Sequence, residues 1–229
     1  SISIYCLFYV LFHDTLFIYH HFIIDLAFLP LEVFLVAAIF DKLIGRREKK
    51  KHLERMHLII GSFFYEMGSD LINFIYIHDY DCQIPGRNFD LDESWSKADF
   101  AGLKLTLIKI IQNMAVETDH FVAIKKLLSP KREYLLHLME NNNLMESERF
   151  SQLLLAVFHL IDELQLRPDL YSLKPTDCAH LVEDFKRALL LLAEQWADYL
   201  YHLKVSAPYL FSLAMRTNPF NTKAKIEIE

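Results

Sequence analysis

The chain has 229 residues, 53% of them apolar and 24% charged, and a net charge of −6. That length and apolar share suit one well-packed core, or one domain plus an anchor, and they exclude intrinsic disorder. Only five glycines and seven prolines occur, too few turn formers for a collagen-like repeat or a many-stranded sheet, so an all-α fold is expected.

The apolar residues are concentrated at the start. In Ser1–Ile44, 32 of 44 residues are apolar, about 73%, against about 48% in the remainder, the share of an ordinary soluble domain. Ile2 to Tyr19 is a first apolar run, interrupted by His13 and Asp14, and His20-His21 then suits a short turn. Phe22 to Ile44 follows, roughly 34 Å as a helix, enough to cross a hydrocarbon layer of about 30 Å. The segment has neither the basic n-region nor the small-residue cleavage site of a signal peptide. Residues 1–45 therefore read as one transmembrane helix or a hairpin, with a buried core hairpin of a soluble protein as the alternative. Asp25 and Glu32 are seven residues apart, within about 20° of one helix face. Such a stripe suits a polar seam between protomers or, at the extreme, an oligomeric ion pathway. The blander reading leaves Asp25 at the interface and pairs Glu32 with a neighbouring helix. Pro30 between them frees the carbonyl of Leu26.

A basic collar follows over residues 46–57. Arg46, Arg47, Lys49, Lys50 and Lys51, together with Arg55 and against Glu48 and Glu54, bring residues 45–55 to about +4, while 56–229 sit near −7. The positive-inside bias places such a collar, and the domain after it, on the cytoplasmic side of the cell membrane. The same five side chains suit anionic lipid head groups. The acidic remainder opposes nucleic acid as a partner. Three widely spaced cysteines, Cys6, Cys82 and Cys178, form neither a disulfide framework nor a CxxC metal site.

Residues 58–220 read as a four- to five-helix bundle. Helical periodicity runs from Leu58 to Ile77. His78 to Asp99 reads as a solvated loop whose acids lack the calcium-loop register. Helices are then expected over Trp95–Leu128, Lys131–Glu140, Glu146–Leu166 and Thr176–Lys204, punctuated by Ser129-Pro130, Asn141-Asn142-Asn143, Pro168 and Pro208. Tyr209–Phe220 is apolar enough to pack back on the bundle, and residues 221–229 form a tail.

Three stretches, IDLAFLPLEVFLVAAIFDKLI (Ile24–Ile44), LLLAVFHLIDEL (Leu153–Leu164) and YLYHLKVSAPYLFSLAMRTNPF (Tyr199–Phe220), resemble a family of uncharacterised prokaryotic membrane-anchored helical proteins. The resemblance implies a membrane hairpin followed by a cytosolic helical domain, and it brings no catalytic role with it.

The chemistry-bearing signal is carboxylate–histidine pairing at helical spacing. Glu117–His120 and Glu54–His57 fit E-x-x-H, and Asp177–His180 is its shorter analogue, each placing two ligands on one side of a helix. His159 with Glu163, and Asp184 one turn beyond His180, could add donors, with Glu66 or Asp70 completing a set. A di-metal carboxylate bundle holding two iron, manganese or zinc ions would draw on Glu117, His120, His159, Glu163, Asp177 and His180. Against it, chance alone supplies roughly one or two such pairs in a chain of this composition. His159 also suits a core-edge position satisfied by Glu163 or Glu148. Arg132–His137 and Arg47–His52 match the R-x4–6-H spacing of helical HEPN-type ribonucleases, a match of low specificity. Walker A, G-x-S-x-G, G-x-G-x-x-G and H-E-x-x-H motifs are absent. The leading expectation is a non-enzymatic membrane-anchored protein that needs no cofactor. It would act by self-association, or as scaffold, sensor or subunit of a membrane assembly. Trp196, Tyr199 and Tyr209–Phe211 are either its apolar contact surface or core.

Overall fold

The computed structural model describes Val10 and residues 15–78, 91–141, 144 and 147–220. Cys6, Cys82, most of the expected 78–99 loop and the 221–229 tail lie outside them. The chain divides into two compact units, Ser1–Leu53 and Glu54–Glu229.

In the first unit the described residues other than Val10 belong to helix α1, Thr15–Phe63, whose last turns lie in the second unit. The expected turn at His20-His21 is not there. His20 is absorbed into the helix, its Nδ1 2.9 Å from the Leu16 carbonyl one turn back. Pro30 likewise sits inside the helix. The side chains of this unit from Tyr19 to Ile44 are exposed on every face, Phe28 at 55% and Phe34 at 67% among them.

The second unit is all helical among the described residues. After α1 comes a π-helical turn, Phe64–Gly68, then α2, Ser69–His78. Next are α3, Lys97–Asn113, α4, Thr118–Leu128, and a 3-10 turn at Ser129–Lys131 leading into α5, Arg132–Met139. The chain ends with α6, Glu148–Gln165, α7, Pro175–Ser206, and α8, Pro208–Thr217. Three of the starts have a local cause. At α3 the Ser96 N–H donates to Asp99 Oδ2 at 2.6 Å, half of a capping box. Pro175 and Pro208 occupy first-turn positions, where a missing N–H costs nothing.

Helix α7 is the central element, packed along both α3 and α6. Its buried stripe, Leu181, Phe185, Ala188, Leu189, Leu192, Trp196, Leu200 and Leu203, steps by three and four residues, as a helix buried on one face requires. Phe150, Leu153, Leu154, Val157, Leu160, Ile161 and Leu164 of α6 form the matching stripe. Lys204 near the end of α7 donates to the Trp95 carbonyl and ties the start of α3 to it.

The continuous helix expected over Trp95–Leu128 is broken. Met114 leaves the helix at φ −58°, ψ 126°, and α4 starts afresh after Glu117. Met114 is buried at the break, and Phe121, Ile124 and Leu128 are buried beyond it. The π-turn has a steric signature as well. A Cβ on Gly68 would lie 2.5 Å from Phe64 Cδ1 and 3.1 Å from Phe63 Cε1, both on buried rings, so the widened turn closes only around glycine.

Candidate functional site

The six expected metal ligands do not converge; they fall into three separate arrangements, and Glu54–His57 forms a fourth. Glu117–His120 is a helix start, with the Glu117 backbone N–H donating to His120 Nδ1 at 2.9 Å. The His120 ring is further occupied by edge contacts with Phe74 and His78 of α2. Glu163 and Asp177 are held by Arg167, which the sequence reading passed over. Its guanidinium makes two bonds to Asp177, at 2.5 and 2.9 Å, and one to Glu163 at 2.5 Å, clamping the end of the α6–α7 hairpin. Those bonds hold the Asp177 carboxyl below its ordinary value of 3.8 and push the guanidinium higher still. Glu54–His57 is not a chelating pair either: His57 stacks face to face on His202 of α7, ring centroids 3.3 Å apart.

The remaining two histidines do meet. One turn along the α6–α7 hairpin from the Arg167 clamp, His159 Nε2 and His180 Nε2 each lie 3.2 Å from Asp184 Oδ2. Donor atoms of all three residues fall within 4.8 Å of one another. The partner of His159 is thus Asp184, in place of the Glu163 or Glu148 expected for a core-edge histidine. Asp184 is 2% exposed, while the histidines are about half exposed, at 47% and 50%. Arg187 Nη1 lies 3.0 Å from the other carboxylate oxygen, Oδ1. Yet neither oxygen accepts a hydrogen bond of normal alignment among the described residues. A buried carboxylate normally has its lone pairs satisfied, so this one is held by charge and distance alone. A groove of about 590 Å³ borders the triad, lined by Gln152, Leu155, Ala156, His159, Arg187, Leu190 and Leu191.

A larger groove, about 730 Å³, lies between the π-turn, α7 and α8. It divides the aromatic set expected at an output surface: Trp196 and Phe211 are core, and Tyr209 is 74% exposed. Gly61 makes room here for Tyr199, whose hydroxyl would be 3.2 Å from any added Cβ. His202 lines the groove, and burial, reinforced by the neighbouring His57, lowers its pKa below 6.5. His202 therefore stays neutral in the folded chain at pH values where the unfolded chain takes up a proton. Stability should fall as pH drops from about 6.5 toward the folded value. His202→Phe should narrow the gap between melting temperatures at pH 7.5 and pH 5.5, and an unchanged gap would count against this cause.

Arg132 is committed elsewhere than the ribonuclease pattern requires. Its Nε donates to Asp162 at 2.8 Å and its guanidinium lies over the Phe158 ring, while His137 lies 3.5 Å from Glu140.

The second unit defines a class of helical domain. Residues 52–216 match the family described as "Uncharacterized protein MJ1433, C-terminal helical domain", and residues 1–44 match "MJ1433, N-terminal helical domain". The chain belongs to this family, in keeping with the prokaryotic helical family its sequence resembles. Among its relatives is "Uncharacterized protein MJ1433" of Methanocaldococcus jannaschii, 40% identical over 232 residues, covering 99% of this chain and 91% of the relative. No solved structure matches. Residues 45–51, between the two matches, hold five of the six Lys and Arg residues of the collar.

Proposed function

We propose that this chain is a membrane-anchored helical protein whose N-terminal helix sits in the bilayer and whose C-terminal unit acts by contact, as scaffold, sensor or subunit of a membrane assembly. The observation that carries this reading is the exposure of the N-terminal unit. From Tyr19 onward the helix contains a membrane-length apolar window, none of it buried within the chain. A helix apolar all round needs an apolar solvent, and exposed apolar area on this scale does not persist in water. The collar supports the orientation, with Arg47, Lys49 and Lys51 exposed in the same helix as Arg46 and Lys50. The C-terminal unit then faces the cytoplasm, and the collar meets anionic head groups.

Extraction tests the anchor. The full chain should stay in the membrane pellet through high salt and alkaline carbonate and leave only with detergent. Release by carbonate alone would show peripheral attachment and overturn the reading. A C-terminal reporter should read cytoplasmic.

A further inference from the structure

We propose that His159, His180 and Asp184 bind one divalent transition-metal ion at a mononuclear site with an open coordination position, in the unit formed by Glu54–Glu229. The proposal does not rest on the membrane reading, because all three residues lie on the α6–α7 hairpin.

The spacing fits. Donors bound to zinc at about 2.0–2.1 Å in tetrahedral geometry lie about 3.3 Å from one another; each histidine nitrogen lies 3.2 Å from Asp184 Oδ2, and all three donors fall within 4.8 Å of one another. The ligand types fit too, since two imidazoles and one carboxylate are the donor set of open zinc and iron(II) sites. The alignment is a third, independent sign. Both Asp184 oxygens are buried and accept no hydrogen bond of normal direction from the described residues, although three nitrogens stand 3.0–3.2 Å away. A hydrogen bond from a ring nitrogen needs the N–H aimed at the oxygen. A metal between the donors needs only lone pairs, and it would use those of Asp184 Oδ2 and both rings.

The two carboxylate oxygens have different neighbours. Oδ2 faces both histidines, while Oδ1 lies against Arg187, which would hold the carboxylate to one-oxygen ligation from outside the site. Half-exposed histidines give the ion access from solvent. With three protein ligands, a fourth position remains for water or a small anion, beside the groove that His159 and Arg187 also line.

The test uses the full chain in detergent, stripped with chelator and then titrated with Zn²⁺ by calorimetry and with Co²⁺ by absorption. One ion per chain is expected, with the intense visible bands of four- or five-coordinate cobalt, and zinc should raise the melting temperature. His159→Ala and His180→Ala should each weaken binding by at least about 100-fold and abolish the thermal shift, ligand loss exceeding the 10–100-fold typical of outer-shell changes. His120→Gln, elsewhere in the unit, should leave zinc affinity unchanged. Asp184→Asn should lose binding as well, and if that buried change prevents folding, the two surface histidine variants still decide. No saturable ion, or full affinity in the His159→Ala/His180→Ala double variant, would overturn the proposal and leave the triad an electrostatic staple between two helices.

Discussion

Phe185→Ala is expected to lower the stability of the C-terminal unit by about 3–5 kcal/mol, the usual cost of deleting a fully buried phenylalanine. The ring is 0% exposed and lies edge-on to Phe74 of α2 at 5.7 Å and to Phe121 of α4 at 5.9 Å. It joins α7 to two helices that otherwise meet it little, so the space it leaves is walled by three elements that cannot all close in. Total stability is typically 5–15 kcal/mol, so the loss is a large share. At about 2–4 °C per kcal/mol for a unit of this size, the melting temperature should fall by roughly 6–20 °C, read by circular dichroism. Leu155→Ala on α6, where the side chain is 48% exposed, should change it by only a degree or two. A Phe185 variant that melted like the Leu155 variant would mean that α2 and α4 do not depend on α7. Because Asp184 precedes Phe185, the same variant should also loosen the triad, a coupling that zinc titration would detect.

Some of this is legible in the sequence. The all-helical class followed from scarce glycine and from apolar spacing, and the break between α6 and α7 from Pro168 and the Thr176 region. His180 and Asp184 are four residues apart, so their proximity on one helix face was readable. Their meeting with His159 required the antiparallel register of two helices, which no local pattern encodes. Glu117–His120 shows why spacing misleads. Residues three apart on a helix share one side, but three is also the distance from an N-cap to the residue that closes it. With neither proline nor glycine at Met114–Glu117, nothing local marked the break that decides between the two. Arg167 lies just past the end of α6 and matches no motif, so its clamp on Glu163 and Asp177 becomes visible only once the hairpin closes. The π-turn likewise depends on how Gly68 meets Phe64, a fact of packing.

Replacing Leu35 and Val36 together with arginine is expected to move the chain from the membrane pellet to the soluble or degraded fraction. Phe22–Ile44 contains fifteen Leu, Ile, Val and Phe residues, which on an insertion scale favour the bilayer by about 5–9 kcal/mol if all lie deep. Glu32, near the centre, already offsets about 3 kcal/mol of that. The span is therefore adequate but has little margin. Two central arginines cost about 5–7 kcal/mol, enough to cancel it, whereas the same change in a helix that merely packed on protein would leave fractionation unaltered. Glu32→Gln separates anchoring from assembly, because it acts on them with opposite signs. Removing the charge should strengthen insertion. If Asp25 and Glu32 form a seam between protomers, it should also weaken self-association, read as a smaller species by light scattering in detergent. Tighter insertion with unchanged size would retire the seam while keeping the anchor. Weaker insertion would mean that Glu32 is satisfied by a partner inside the bilayer whose loss costs more than the charge itself.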